Sequence, residues 1–209
     1  MTNLFLSRIY LNPMSRLARR NLVSPYEMHR TVMMAFPDNF DGRILFRCES
    51  PVRQSCPILY VQADYEADWE FLRTLDGYLA PSTNGNCNPA QKAFSPKLRS
   101  GDQYIFRLLA NPTVKRDGKR LALYREEDQL RWLERKMKAS GARSLEVRSS
   151  RSELYRFRDK EDRKVAMLGV EFNGILEVDS PDLLSQALAE GIGSGKGFGF
   201  GLLSLIRAG

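Results

Sequence analysis

The order of strand-like and helix-like segments, met twice in 209 residues, constrains this chain more than any other feature. Residues 4–11 (LFLSRIYL) read as a mostly buried strand. Ser24-Pro25-Tyr26-Glu27 opens a helix on three independent signals: a Ser N-cap, Pro at the first helical position, and Glu three residues after the cap. That helix ends before Pro37. Strand-like runs follow at 43–48 and 58–63, then a weak helix at 66–75. Residues 80–101, rich in Pro, Asn, Ser and Gly, read as a long loop, and 103–110 as a further strand. The order is β-α-β-β-α-β.

The second half repeats it. An edge strand at 120–124 precedes a helix at 126–140, with Leu130, Leu133 and Met137 on one stripe and Gly141 just past its end. Strands are expected at 144–148, 154–158, 165–172 and 175–178, the last two joined by an Asn173-Gly174 hairpin turn. Ser180-Pro181 opens a short helix, and residues 199–206 form the final strand. The pattern predicts an α+β chain of two tandem ferredoxin-like (βαββαβ, RRM-like) domains. The expected domains are 1–113 and 119–209, divided where NPTVKRDG at 111–118 breaks the pattern. No residue-level repeat links the halves.

Between the last helix and the last strand, glycine recurs at every second position: Gly191, Gly193, Gly195, Gly197, Gly199 and Gly201. Each costs roughly 0.5–1 kcal/mol of backbone entropy relative to Ala. Packing alone explains that density poorly, whereas a loop of exposed N–H groups with one cation, Lys196, suits a phosphate chain. Neither familiar nucleotide loop fits. G-x-x-x-x-G-K-[ST] would need Gly where Glu190 stands, and the period of two defeats G-x-G-x-x-G at every offset. The alternative is a mobile connection before the last strand.

The balance of 32 basic and 25 acidic residues gives +7. It is spread along the chain, with 13 basic and 10 acidic residues up to position 113 and 19 and 15 beyond. Spread positive charge points to a polyanion held across a folded surface. Cys48, Cys56 and Cys87 make an odd count without C-x-x-C, so reduced thiols in a cytoplasmic protein are expected. One histidine and no Cys/His ligand spacing argue against a metal site, and no cofactor is expected. No run approaches 18 apolar residues, so no membrane partner is expected, and the N-terminus lacks the pattern of a signal peptide.

His29 must carry any imidazole chemistry. On a helix over 24–36, Met28, Val32, Ala35 and Phe36 share one face and form the expected core stripe. Tyr26, His29, Arg30 and Met33 gather on the other, where Tyr26 reaches His29 at i+3 and Arg30 at i+4. A solvated surface histidine is the alternative. A Tyr, a His and an Arg beside a polyanion suit cleavage of RNA. The ribose 2′-OH attacks the adjacent phosphorus, an imidazole moves a proton at neutral pH, and a cation stabilises the phosphorane.

Residues 151–164 (RSELYRFRDKEDRK) carry ten charges in fourteen positions, with Arg156 and Arg158 on one strand face. Such a ribbon either tracks a nucleic-acid groove or is simply a solvated hairpin. Phe198 and Phe200 either stack on bases or belong to the core.

With LNP at 11–13, SPYEMHR at 24–30, FRLLANPTVKRDGKR at 106–120, QLRWLERK at 129–136 and GIGSGKGFGFGLLSL at 191–205, the chain resembles a known family over essentially its full length. That family is the CRISPR RNA-processing endoribonucleases of type I-E systems, the CasE subunits of Cascade within the RAMP superfamily. The resemblance implies two ferredoxin-like domains that bind a CRISPR repeat hairpin. It implies one cut at the 3′ base of the stem without metal, leaving a 2′,3′-cyclic phosphate or its hydrolysis product, and retention of the guide with the other Cascade subunits. It puts the catalytic pair on His29, as general acid or base, and Tyr26, which orients the 2′-OH or scissile phosphate. It puts RNA contacts on Arg30, on Arg156 and Arg158 in the major groove of the stem, and on Lys196 with Gly193, Gly195, Gly197 and Gly199 along the phosphates. That groove normally excludes side chains in A-form RNA, a restriction that a short open-ended stem relaxes. A non-catalytic RNA-binding subunit of a CRISPR ribonucleoprotein shares the same fold, charge and glycine loop. An enzyme acting on a small phosphate ester leaves the charged hairpin without a role.

Overall fold

The computed structural model describes residues 3–49, 56–81 and 87–208. Two compact units are present. The first runs to Ser95 and takes in two later segments, Phe157–Lys164 and Gly197–Gly199; the second starts at Pro96 and holds the remainder.

The first unit holds β1 (Leu4–Tyr10), α1 (Arg16–Val23), α2 (Pro25–Met33), β2 (Ile44–Glu49), β3 (Ile58–Ala63), α3 (Phe71–Thr74) and β4 (Ala90–Phe94). Its sheet runs β2-β3-β1-β4, antiparallel throughout. Alternation along the strands sends Ile9, Phe46, Leu59 and Val61 to one face, where Met28 and Val32 of α2 cover them. Ser24 serves two helices. Its N–H bonds the Arg20 carbonyl and ends α1, while its hydroxyl accepts the Glu27 N–H and starts α2. Asn21 locks the two helices to the core, donating to Thr31 Oγ1 and to the Tyr78 hydroxyl.

The second unit holds β5 (Gln103–Ala110), β6 (Thr113–Arg116), β7 (Lys119–Ala122), α4 (Glu126–Ala139), β8 (Ala142–Arg158) and β9 (Lys164–Val178) apart from their ends at Phe157, Arg158 and Lys164, α5 (Pro181–Glu190) and β10 (Leu203–Arg207). Its sheet runs β10-β5-β9-β8, and β6 and β7 form a separate two-stranded ribbon. Trp132, Leu133 and Met137 of α4 and Leu184 and Leu188 of α5 close its core against Phe106, Leu108, Val170 and Phe172. Numbered within each unit, both sheets have the strand order 4-1-3-2 of a βαββαβ fold, so the two ferredoxin-like units are present.

Several segments differ from the sequence reading. The strand 103–110 does not close the first sheet; it is the first strand of the second, between β10 and β9. The closing strand of the first sheet is β4, inside the expected 80–101 loop, of which 82–86 lie outside the described residues. The compact units accordingly divide between Ser95 and Pro96 rather than at 111–118. Residues 16–23, to which the sequence reading assigned no element, form a helix capped by Ser15, whose hydroxyl accepts the Ala18 N–H. The weak helix at 66–75 is the single turn Phe71–Thr74. The edge strand at 120–124 is β7, and the strands at 144–148 and 154–158 are one.

The Asn173-Gly174 turn is also corrected: both residues lie inside β9, opposite Arg107 and Phe106. Glycine is there for close approach, since a β-carbon on Gly174 would stand 1.9 Å from the Glu146 carbonyl oxygen.

Candidate active site

Helix α2 buries Pro25, Met28, Thr31 and Val32 and leaves Tyr26 and His29 half-buried and Arg30 exposed. Those three line a cleft of about 530 Å³ together with Arg20 from α1, Glu27, and Lys160 from the β8–β9 hairpin tip. Glu27 holds the cationic side of the cleft in place. Its Oε2 lies 2.6 Å from an Arg20 guanidinium nitrogen and 3.6 Å from one of Arg30.

His29 is half-buried. Its ring lies 6.3 Å from that of Phe46, near-parallel at 20°. Gly197 stands close by, so that a β-carbon on it would be 3.8 Å from His29 Cε1. Burial lowers the imidazole pKa below its usual value of about 6.5, which favours the neutral ring. Nδ1 is buried without a hydrogen-bond partner among the described residues, which leaves Nε2 as the nitrogen to exchange protons with a ligand in the cleft. An imidazole facing cations can take a proton from, or give one to, an oxygen held beside a bound phosphate. Among the described residues, no cluster of three His, Cys, Asp or Glu gathers as for a metal ion.

The glycine segment divides its work. Gly193 passes over the Trp132 indole, where a β-carbon would come within 3.0 Å, and Gly195 lies against Met167 and Phe200. Gly197 and Gly199 face His29 and Phe46. Gly193, Gly195 and Gly199 have positive φ. Positive φ and close approach account for glycine at 193, 195 and 199, whereas Gly197 has neither a positive φ nor a crowded β-carbon position. Lys196 and Phe198 begin and end a short 3₁₀ turn, with Lys196 half-buried. Phe198 packs on Phe157 at 4.8 Å and Phe200 is fully buried, so these rings serve the core.

The hairpin tip is tied to itself. Arg158 donates to the Asp162 carboxylate at 2.6 Å and to its carbonyl oxygen at 2.9 Å. Arg163 pairs with Asp159, whose other carboxylate oxygen accepts the Glu161 and Arg163 N–H groups. Arg156 is exposed and makes no ion pair among the described residues. Neither Arg156 nor Arg158 lines the cleft; Lys160 does. Sequence reasoning missed Lys160 and Arg20 and took Glu27 only as a capping residue. The signal for Lys160 was its place in the D-K-E-D turn, two residues past Arg158.

Residues 4–207 match the family described as CRISPR associated protein. A CRISPR-associated endoribonuclease Cse3 from Thermus thermophilus is 34% identical over 218 residues, covering 97% of this chain and 99% of the relative. The Cascade subunit CasE from Escherichia coli is 32% identical over 122 residues, covering 52% of this chain and 60% of that one. The structure is similar to that of the Thermus thermophilus Cse3 bound to an RNA representing a pre-cleavage complex. The TM-score is 0.85 at 34% identity, over 98% of this chain and all of that one.

Proposed function

The chain belongs to the family of CRISPR-associated endoribonucleases typified by Cse3, and from that premise we propose that the Tyr26–His29 cleft is the centre that cuts the repeat RNA. The protein is an endoribonuclease that processes CRISPR repeat RNA into guides. The reading of its site rests on one observation above the rest. The only histidine of the chain shares a cleft with Tyr26 and three cations, Arg20, Arg30 and Lys160.

The reaction this arrangement serves begins with the ribose 2′-OH at the cut. Its oxygen attacks the adjacent phosphorus, and the 2′-proton passes to a base. The P–O5′ bond breaks and the 5′-oxygen takes a proton, leaving a 2′,3′-cyclic phosphate on one fragment and a 5′-hydroxyl on the other. His29 moves a proton at one of these two oxygens. Tyr26, one turn away on the same face, orients the 2′-OH or the phosphate. Arg20, Arg30 and Lys160 stabilise the dianionic phosphorane as positive charges facing the cleft. The chemistry uses no metal and requires RNA, because DNA lacks the nucleophile.

Arg156 and Arg158 approach the stem of the repeat hairpin, and Lys196 with Gly193, Gly195, Gly197 and Gly199 approaches its phosphates. Both βαββαβ units carry RNA contacts in this reading. One relative is named a Cascade subunit, which supports a place for this enzyme beside the other subunits of that assembly; retention of its product and a cytoplasmic location belong to the same reading. Among the described residues no helix is long and apolar enough to cross a membrane.

The test is cleavage of a repeat hairpin in EDTA by wild type and by His29→Ala, with a second substrate carrying a 2′-deoxy sugar at the cut. Wild type cuts the ribose substrate only, and His29→Ala binds it but does not cut. Full activity in His29→Ala would remove the mechanism. Tight binding by wild type without cutting would favour a non-catalytic RNA-binding subunit.

A further inference from the structure

The second unit carries a separate cationic recess that the cleavage chemistry does not use. It encloses about 240 Å³ and is lined by Thr113 and Lys115 of β6, Arg120 of β7, Arg135 and Lys136 of α4, and Gly193-Ser194 above Trp132. No acidic residue lines it. None of its four cations has an ion-pair partner among the described residues, although Arg131, on the same helix, pairs with Glu127 and Asp128.

The ribbon itself is built against electrostatics. Lys115 stands directly opposite Arg120, and Arg116 directly opposite Lys119. Like charges facing each other across strands are destabilising, and a two-stranded ribbon has little stability to spare. The helix dipole accounts for Lys136 in the last turn of α4, but not for Lys115 or Arg120. Two hydroxyls complete the wall: Thr113 Oγ1 and Ser194 Oγ lie 3.4 Å apart. Gly193 has a φ of +88° and lets the loop pass flat over the Trp132 indole, which holds Ser194 at the rim.

Unpaired guanidinium and ammonium groups with two hydroxyls form a receptor for a phosphate group. The recess is smaller than the roughly 300–1,000 Å³ of pockets that enclose a whole small ligand. It has room for a phosphate and part of a sugar, with the rest of the molecule outside. We propose that this recess, formed by the β6–β7 ribbon, α4 and Ser194, binds a backbone phosphodiester of the repeat RNA, as an anchor additional to the cleavage cleft. The proposal rests on the reading of the chain as an enzyme acting on repeat RNA.

The experiment measures affinity for the repeat hairpin over a salt series with two double variants, Lys115→Ala with Arg120→Ala, and Arg135→Ala with Lys136→Ala. Arg131→Ala is the control. Each double variant loses affinity by roughly ten-fold, and the slope of log Kd against log salt falls by about 1 to 2. The control binds as wild type does. A set of hairpins, each with one phosphate replaced by a neutral methylphosphonate, gives a reading from the RNA side. At the anchored phosphate the replacement weakens wild-type binding and costs the double variants nothing further. Unchanged affinity and slope in both double variants, with wild type still cutting, overturns the anchor and leaves the cleavage site standing. That holds even if the recess binds inorganic phosphate, which would make it a small-anion site. Loss of affinity in the double variants together with full cutting by His29→Ala keeps the anchor and overturns the reading of the cleft.

Discussion

Gly197 lies against the imidazole of His29: a β-carbon built on it would stand 3.8 Å from Cε1 and 4.0 Å from Nδ1. Those are ordinary contact distances. With Phe46 near-parallel at 6.3 Å, this glycine makes the setting that desolvates the ring. Gly197→Ala is therefore accommodated and cuts repeat RNA within about three-fold of wild type. Gly197→Leu drives its extra carbons into the ring, at a cost of about 1–3 kcal/mol for overpacking. It cuts at least about ten-fold more slowly in single turnover. A leucine variant with the wild-type rate would show that the loop does not hold His29.

Because the chain has one histidine, its titration is read without assignment. Burial places the folded-state pKa of His29 below its unfolded value of about 6.5. The unfolded chain therefore takes up a proton that the folded chain resists. The stability due to neutral His29 is fully present above about pH 6.5 and is lost as pH falls through the folded-state value. NMR of the imidazole Cε1–H should give a midpoint below 6.5 in the free protein. His29→Gln should lose less stability than wild type over that window. A midpoint at or above 6.5 would refute a desolvated ring.

Elements whose signals are local were legible. The caps and Pro of α2 are neighbours in sequence, and so is the i, i+3 and i+4 face that carries Tyr26, His29 and Arg30. The strands at 58–63 and 103–110 have the bounds read from their apolar runs. Sheet membership was not legible, because it is decided by partners far away in sequence. AQKAF of β4 is a half-exposed edge strand with no buried alternation, so 103–110 was assigned to its place. The same limit hid Lys160 and Arg20 from the site: their relation to His29 comes from three separate elements meeting at one cleft.

Gly174 gives the most direct measure of that difference. In an Asn-Gly hairpin turn, Ala in place of Gly would cost about 1 kcal/mol. Inside β9, the added β-carbon meets the Glu146 carbonyl oxygen of the neighbouring strand at 1.9 Å, and backbone must move. Gly174→Ala should lower stability by more than about 3 kcal/mol in urea unfolding, or prevent folding of the second unit. A loss near 1 kcal/mol would restore the turn.

Arg158 has two competing explanations, and its partner separates them. Its ion pair with Asp162 joins side chains that are 55% and 79% exposed, so the pair is worth about 0–1 kcal/mol at most. A brace this weak does not account for an RNA-binding defect. If Arg158 serves the RNA, Asp162 only holds it in place and competes with phosphate for the guanidinium. Asp162→Ala should then keep or raise hairpin affinity, while Arg158→Ala lowers it by roughly five- to ten-fold and reduces the salt slope by about 1. Equal losses in the two variants would make the pair a brace for the hairpin tip and would leave Arg156, which has no such partner, as the arginine to test on the stem.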